Sequence, residues 1–264
     1  MSNLAEQVQL EFVKLRNGKQ MKKFIDIHSH ILPGVDDGAD SFEMSMQMLR
    51  YAAADGITGI ICTPHNKPDR RHVPFSKLMS GVEKLREMMA EEAVSMELHI
   101  GSELYYRSGI IEEMRNDMAK TMAGSQYVLV EFNPLADYEY LRNGIYTFLM
   151  GGHHPILAHA ERYRNIISRK RGIDDLIDMG CYIQVNAGSI TGNSGAGAKR
   201  FVRRLLKQRQ VHFIATDAHD MKKRLPCLSD CADFVSKKYG EDYCRELFYD
   251  NPLYVIRNEE IALY

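Results

Sequence analysis

The sequence has no run of about 18 apolar residues, the length a membrane-crossing helix needs, and its polar start, Met1 to Gln20, holds no apolar stretch of signal-peptide type. Both absences point to a cytoplasmic protein without membrane insertion. A clustered basic tract is also missing: 34 Lys and Arg stand against 35 Asp and Glu, a net charge of −1 with histidine neutral. Binding to a phosphate backbone requires a concentrated positive field, so no nucleic-acid partner is expected. Cysteine is sparse, odd in number and scattered (Cys62, Cys181, Cys227, Cys231 and Cys244), which does not suit a disulfide framework in 264 residues. These read as reduced thiols, and Cys227 with Cys231 as two positions on one helical face rather than half a zinc site.

What remains, 45% apolar and 26% charged residues, describes one soluble globular domain of the largest single-core size, or at most two small ones. Disorder, collagen and coiled coil are excluded by that balance. Residues 1–23 show no strand pattern and read as an N-terminal extension, with Met21 a second candidate start. From Phe24 onward, short β-branched runs alternate with stretches of period 3.6. The runs predict strands at Phe24–His28, Ile57–Cys62, Glu97–Gly101, Tyr127–Phe132, Pro155–His159, Cys181–Asn186 and Val211–Thr216. Between them, Asp40-x-x-Glu43 resembles a capping box, after which Phe42, Met46, Leu49 and Ala53 share a face until Asp55-Gly56 stops the helix. Leu78, Val82, Leu85 and Met89 form a second stripe. Further helices are expected at Ser108–Met118, Tyr138–Met150, Asn165–Met179 and Gly197–Gln208, with two amphipathic stretches after Pro226. This alternation, without a composition break, predicts a distorted (β/α)7 TIM-like barrel as a single domain over residues 24–264. Gly188–Gly197 lacks the Lys-Ser/Thr ending of a phosphate-binding P-loop and reads as a mobile loop over the barrel mouth.

The chemistry lies at the strand ends. Strand one ends in His28-Ser29-His30, strand two runs into His65, strand three into Glu103, strand four ends at Glu131, strand five at His159, and strand seven at Asp217-Ala218-His219. Strand six ends at Asn186, polar but a poor ligand. In this architecture the C-terminal strand ends converge on one face, so these metal-ligand types meet in space. Side chains two apart on a strand point the same way, which lets His28 with His30, and Asp217 with His219, each grip an ion. A carboxylate closing an apolar strand, as Glu131 does, is costly without a cation. Asp36-Asp37-Gly38 is either a turn or a source of one inward carboxylate. His72, His99, His153 and His212 have no such placement and read as surface or satisfied core residues, and His154 belongs to the opposite rim.

Imidazole and carboxylate donors without thiolate indicate manganese, iron or zinc, and so many ligands suit two or three ions sharing a bridging carboxylate. Such clusters activate water and clamp an oxyanion such as phosphate. Arg162, just past His159, and Arg224, just past His219, are placed to pair with that anion. Rival hydrolytic chemistries lack their signatures: no cysteine has an arginine six positions on, and no Gly-x-Ser-x-Gly elbow comes after a strand.

In order, the stretches Asp26-Ile-His-Ser-His-Ile-Leu-Pro-Gly-Val-Asp-Asp-Gly38, Thr63-Pro-His65, Gly101-Ser-Glu-Leu-Tyr-Tyr106, Leu129-Val-Glu-Phe132, Ala158-His-Ala-Glu-Arg-Tyr163, Gln184-Val-Asn186 and Ala215-Thr-Asp-Ala-His219 resemble the PHP (polymerase and histidinol phosphatase) superfamily. The similarity is to its bacterial metal-dependent protein-tyrosine phosphatase branch of capsular and exopolysaccharide synthesis, and it covers residues 24 to about 258. The resemblance implies a PHP-type barrel holding three divalent ions, manganese by preference. His28, His30, Glu103 and Asp217 would hold the first, Glu103, Glu131 and His159 the second, and Asp37, His65 and His219 the third, with Glu103 bridging. It places Arg162 and Arg224 on the phosphate and implies a phosphotyrosine substrate, such as the tail of a bacterial tyrosine kinase. The expected reaction is direct hydrolysis by a metal-activated hydroxide, with Asp217 or His219 assisting. Tyrosinate, with a pKa of about 10, leaves without a strong acid. Two alternatives stay open: a PHP phosphoesterase acting on a small molecule such as histidinol phosphate, and a metal-binding module without turnover. The residues carry no signal for oligomeric state.

Overall fold

The computed structural model describes residues 23–68, 73–116 and 118–263, so residues 1–22 of the expected extension, and His72, lie outside the described residues. The strands are β1 (Phe24–Ser29), β2 (Ile57–Cys62), β3 (His65–Asn66), β4 (Glu97–Ile100), β5 (Glu103–Tyr105), β6 (Tyr127–Glu131), β7 (His154–Leu157), β8 (Tyr182–Asn186) and β9 (Phe213–Ala215). All pair in parallel, as β1-β2-β4 and β3-β5-β6-β7-β8-β9. The two groups are continuous in space. Thr63-Pro64 separates β2 from β3, Gly101-Ser102 separates β4 from β5, and single bonds bridge the gaps: Gly101 N to Cys62 O at 2.8 Å and Glu103 N to Pro64 O at 3.1 Å. Pro64 has no N–H to continue the ladder. At the far side, Asp217 N donates to His28 O and His30 N to Ala218 O, each at 2.8 Å, so the sheet curls until its last strand meets β1 at the tips.

Both sheet faces are covered, which is why strands such as β1, β6 and β8 are buried along their whole length. Inside the curl, Ile27, Ile61, Leu129, Ile156, Tyr182 and Phe213 pack as one cluster. The C-terminal tail closes its lower end, Tyr127 and Tyr182 donating their hydroxyls to Glu259 O (2.8 Å) and Ile261 O (2.7 Å).

The flanking helices track the local sequence chemistry closely. α1 (Phe42–Asp55) stops at Gly56, which takes φ 99°, the left-handed cap expected of Asp55-Gly56. Its N-cap is Ser41, not Asp40: the Ser41 side chain accepts from Met44 N, while Asp40 accepts from the Ser41 hydroxyl. The buried stripe is correspondingly Met46, Leu49 and Ala52, with Phe42 left exposed. α2 (Phe75–Glu91) buries Leu78, Val82, Leu85 and Met89 as predicted. The helix expected from Ser108 to Met118 is shorter, α3 (Ile110–Arg115), whereas α4 (Tyr138–Met150) has the predicted bounds.

The helix expected over Asn165–Met179 divides into α5 (Arg164–Ser168) and α6 (Gly172–Asp178). At the break Arg169 is extended and its guanidinium stacks 4.2 Å from the Tyr138 ring, a tertiary contact outweighing helical continuity. Gly188–Gly197 begins as a helix, α7 (Ala187–Thr191), tied down by the Ser189 hydroxyl on Glu161 and Ser194, and runs into α8 (Ala196–Lys207). After Pro226 come α9 (Ser229–Tyr239), α10 (Glu241–Arg245), a wide turn at Glu246–Asp250 and α11 (Asn251–Arg257). Cys231 lies in α9, but Cys227 precedes the helix, its thiol 3.4 Å from Asp55 Oδ1. No described helix is long and apolar enough to cross a membrane.

Candidate metal centre

The strand tips bring every ligand-type residue singled out from the sequence to one place. His28 and His30 project from β1 and its first following residue, His65 and Glu103 open β3 and β5, Glu131 closes β6, and His159, Asp217 and His219 come after β7 and β9. All but His65 and Asp37 are buried, and the His65 side chain keeps only 8% exposure. His159 (φ 36°) and Asp217 (φ 52°) adopt the left-handed conformation that disfavours residues with a Cβ. Such strain costs on the order of 1–3 kcal/mol per residue and persists where surrounding contacts fix it. Here His159 N bonds Gln184 Oε1 at 2.7 Å and Asp217 N bonds His28 O, which turns both side chains inward.

Glu103 sits at the centre, fully buried. Its Oε1 is 2.7 Å from His159 Nε2, and its Oε2 is 2.7 Å from His65 Nδ1 and 3.4 Å from both His28 Nε2 and His30 Nε2. Three sets of donor atoms lie within 4.8 Å of one another: His28, His30 and Glu103; His65, Glu103 and Glu131; and His30, Asp37, His65 and His219. Asp217 Oδ1 is 3.5 Å from the Nε2 atoms of His28 and His30. Asp37 is the most exposed member, its Oδ1 3.4 Å from His65 Nε2 and 3.7 Å from His219 Nε2. The grouping differs in detail from that implied by resemblance: His30 and His65 each serve two sets, and His159 touches Glu103 but not Glu131.

Burial and neighbouring charge set the protonation of this cluster. Burial opposes charge on Glu103, yet the facing imidazoles of His28, His159 and His30 hold its carboxyl well below the ordinary range. Burial is likewise outweighed at Asp217 by His28, His30 and Arg162, which keep it anionic. His65 is desolvated, but Glu103 and Glu131 raise it to about 9. His219 falls to about 3 because it is buried and faces the charges of His30 and Arg224. Glu103 Oε2, Glu131 Oε1, His65 Nδ1 and His219 Nε2 are buried without an aligned hydrogen bond among the described residues, though Glu103 Oε2 and His65 Nδ1 lie only 2.7 Å apart. Orphaned buried donors and acceptors of this kind, converging without a thiolate, fit divalent ions of manganese, iron or zinc type.

A second layer orients the first. Asp36 accepts from His30 Nδ1 at 2.7 Å, Gly38 N at 2.9 Å and His65 N at 3.0 Å. It fixes the tautomer that leaves His30 Nε2 facing the cluster. Gly38 is required beside it, since a Cβ there would come within 2.0 Å of His30 O. Gln184 reaches His28 Nδ1 at 3.3 Å and passes its amide to Asn186, whose own amide donates to Asp217 Oδ2 at 2.9 Å. Asn186 therefore meets the cluster through Asp217. Arg162 pairs with Asp217 Oδ2, and Arg224 Nη1 lies 3.4 Å from both Asp217 oxygens. Both guanidiniums are partly exposed beside Asp217 on one wall of the mouth.

Three of the histidines set aside from the sequence stay apart. His99 meets Glu97 at 3.4 Å on β4, His154 stacks on Tyr127 at the lower end, and His212 is buried with its Nδ1 accepting from Ile183 N. Asp36, Gln184 and Lys67 escape a reading of the sequence. For Asp36 the Asp36-Asp37-Gly38 turn carries a signal that does not discriminate between neighbours. For Lys67 no spacing rule applies.

Residues 24–257 match the family described as capsular polysaccharide synthesis, CpsB/CapC. The tyrosine-protein phosphatase CpsB of Streptococcus pneumoniae is 33% identical over 242 residues, 90% of this chain and 100% of the relative. The tyrosine-protein phosphatase YwqE of Bacillus subtilis is 28% identical over 237 residues, 90% of this chain and 93% of its own. Among solved structures, a chain from the crystal structures of YwqE from Bacillus subtilis and CpsB from Streptococcus pneumoniae, described as metal-dependent tyrosine phosphatases, superposes with a TM-score of 0.84 at 29% identity, covering 90% of this chain and 96% of its own. A D-hydantoinase, 12% identical over 86% of this chain and 69% of its own, matches with a TM-score of 0.51 and shares the fold alone.

Proposed function

The chain belongs to the CpsB/CapC family of capsular polysaccharide synthesis proteins, and from that premise we propose that the strand-tip cluster is the active site of a metal-dependent tyrosine-protein phosphatase. One observation carries the reading: the buried Glu103 carboxylate meets four imidazoles, from His28, His30, His65 and His159, while Arg162 and Arg224 wait at the rim on Asp217. The proposed ligands are His28, His30, Asp37, His65, Glu103, Glu131, His159, Asp217 and His219, holding three divalent ions, manganese by preference, with Glu103 shared. Ions held there would supply Lewis-acid polarisation of the phosphoryl group and a more acidic water.

The chain's own groups do the rest. Arg162 and Arg224 bind and neutralise the phosphoryl oxygens, which strengthens as charge develops. Asp217 and His219 are held unprotonated, the state a metal ligand needs, and carry no proton to donate to the leaving group. Tyrosinate is a good enough leaving group to depart without a strong acid. The proposed substrate is phosphotyrosine on a bacterial tyrosine kinase tail, in the cytoplasm. We read the curled sheet as the distorted (β/α)7 barrel of PHP type, with β2 and β3, and β4 and β5, as interrupted single strands. Residues 24–264 then form the phosphatase domain and residues 1–23 an extension.

The test is turnover by the manganese-loaded protein of a phosphotyrosine peptide against histidinol phosphate. The peptide should dominate. Dominant turnover of the small molecule, or of neither, would replace this reading with a small-molecule phosphoesterase or a non-catalytic module respectively.

A further inference from the structure

Lys67 is a third cation at the mouth. It comes directly after β3, and its Nζ lies 2.8 Å from Glu131 Oε1 in an ion pair without hydrogen-bond alignment. The Lys67 side chain keeps 22% exposure and Glu131 7%, so the ammonium reaches inward from the solvent side. It also borders a cavity of about 310 Å³ that opens beside His65 between Val35, Pro64, Phe75 and Leu78. The nearby Arg107 is already committed, its guanidinium held by Glu113, Asn66 and Tyr105 O. Arg162 and Arg224 stand to Asp217 as Lys67 stands to Glu131. Each cation neutralises a carboxylate that the proposed centre assigns to a divalent ion, and the two carboxylates belong to walls three strands apart in the order β6-β7-β8-β9.

A bound divalent ion and an ammonium repel when they share one carboxylate. Lysine is a compact point charge on a flexible stem, able to leave such a pair without disturbing the backbone. We propose that Lys67 is an anion-receiving side chain of this site: it neutralises Glu131 until a divalent ion takes that carboxylate, and its ammonium then binds the substrate's phosphoryl oxygens from the wall opposite Arg162 and Arg224. The inference rests on the metal-dependent phosphatase reading of the same cluster.

Lys67→Met keeps the stem and removes the charge, whereas Lys67→Arg keeps the charge. Two calorimetric titrations of the full chain read the effect: manganese into stripped protein, and inorganic phosphate into manganese-loaded protein. Lys67→Met should bind manganese about fivefold more tightly, the size of a unit-charge interaction at contact in a high-dielectric surround. Phosphate should bind it about tenfold more weakly, the loss of one charge-assisted hydrogen bond. Lys67→Arg should stay within about threefold of wild type in both. General damage would weaken both ligands together, so opposite shifts isolate the charge exchange. Unchanged or weaker manganese binding, or unchanged phosphate binding, in Lys67→Met overturns the inference. Neither titration needs turnover, so a wild-type protein inactive on phosphotyrosine peptide would sink the proposed function without deciding the role of Lys67.

Discussion

Adjacent aspartates in Asp36-Asp37-Gly38 have different tasks, and separating them tests the two-layer description of the centre. Asp36 is not among the proposed ligands. It holds His30 Nδ1 and two backbone N–H groups, of Gly38 and His65, at 2.7, 2.9 and 3.0 Å. Asp36→Ala frees one imidazole and strands two amides, each unsatisfied group costing about 1–3 kcal/mol if it stays dry. A stability loss of about 3 kcal/mol is expected after partial rehydration, large against the roughly 5–15 kcal/mol of an ordinary domain. Loss of an orienting carboxylate should also weaken metal binding by about 10–100-fold. Asp37→Ala removes a half-exposed proposed ligand and should weaken metal binding while costing less than about 1 kcal/mol. Urea unfolding of the stripped proteins reads the first quantity and manganese titration the second. Equal stability losses in the two variants, or unaltered manganese binding in Asp36→Ala, would refute the assignment of Asp36 to the outer layer.

His212 provides a test remote from the cluster. Burial lowers it to about 4, so the fold holds it neutral while the unfolded chain protonates near 6.5. Its contribution is whole above pH 6.5 and is lost as pH falls towards 4, amounting to about 2 kcal/mol between pH 7 and pH 5. Unfolding of His212→Asn, whose side-chain oxygen can still accept from Ile183 N, should show a pH slope smaller by that amount, and parallel curves would contradict it. Arg162→Ala should lower kcat/KM for phosphotyrosine peptide by about 10²-fold or more while manganese stoichiometry is kept. Loss of manganese along with activity would instead make Arg162 a support of Asp217.

Much of this is legible in the sequence because the chemistry repeats at one structural position. His28, His65, Glu103, Glu131, His159 and Asp217 sit at successive strand ends, and strands with both faces buried announce themselves as apolar runs. The period-2 spacing in His28-Ser29-His30 and Asp217-Ala218-His219 then sets the side chains' direction. What escapes depends on contacts between distant segments. The division of α5 from α6 comes where Arg169 lies on Tyr138, and the interruptions after β2 and β4 fall at Thr63-Pro64 and Gly101-Ser102, where the bonds Gly101 N to Cys62 O and Glu103 N to Pro64 O tie two strands together. Asp36 and Lys67 act on residues 6 and 64 positions away, His30 and Glu131. No local period encodes such pairings, since each is fixed only when the strand tips converge. The cap on α1 is displaced by one residue because Asp40 and Ser41 both suit an N-cap and only the backbone turn chooses between them.

The central claim is that Glu103, held among four imidazoles, is the shared ligand of a centre that hydrolyses phosphotyrosine. Manganese content by elemental analysis, measured with peptide turnover on the same samples of wild type and Glu103→Ala, addresses it directly. The variant should retain fewer ions per chain and lose more than about 10²-fold in turnover, since several kcal/mol of charge stabilisation go with the shared ligand. A Glu103→Ala protein with wild-type manganese content and turnover would contradict it.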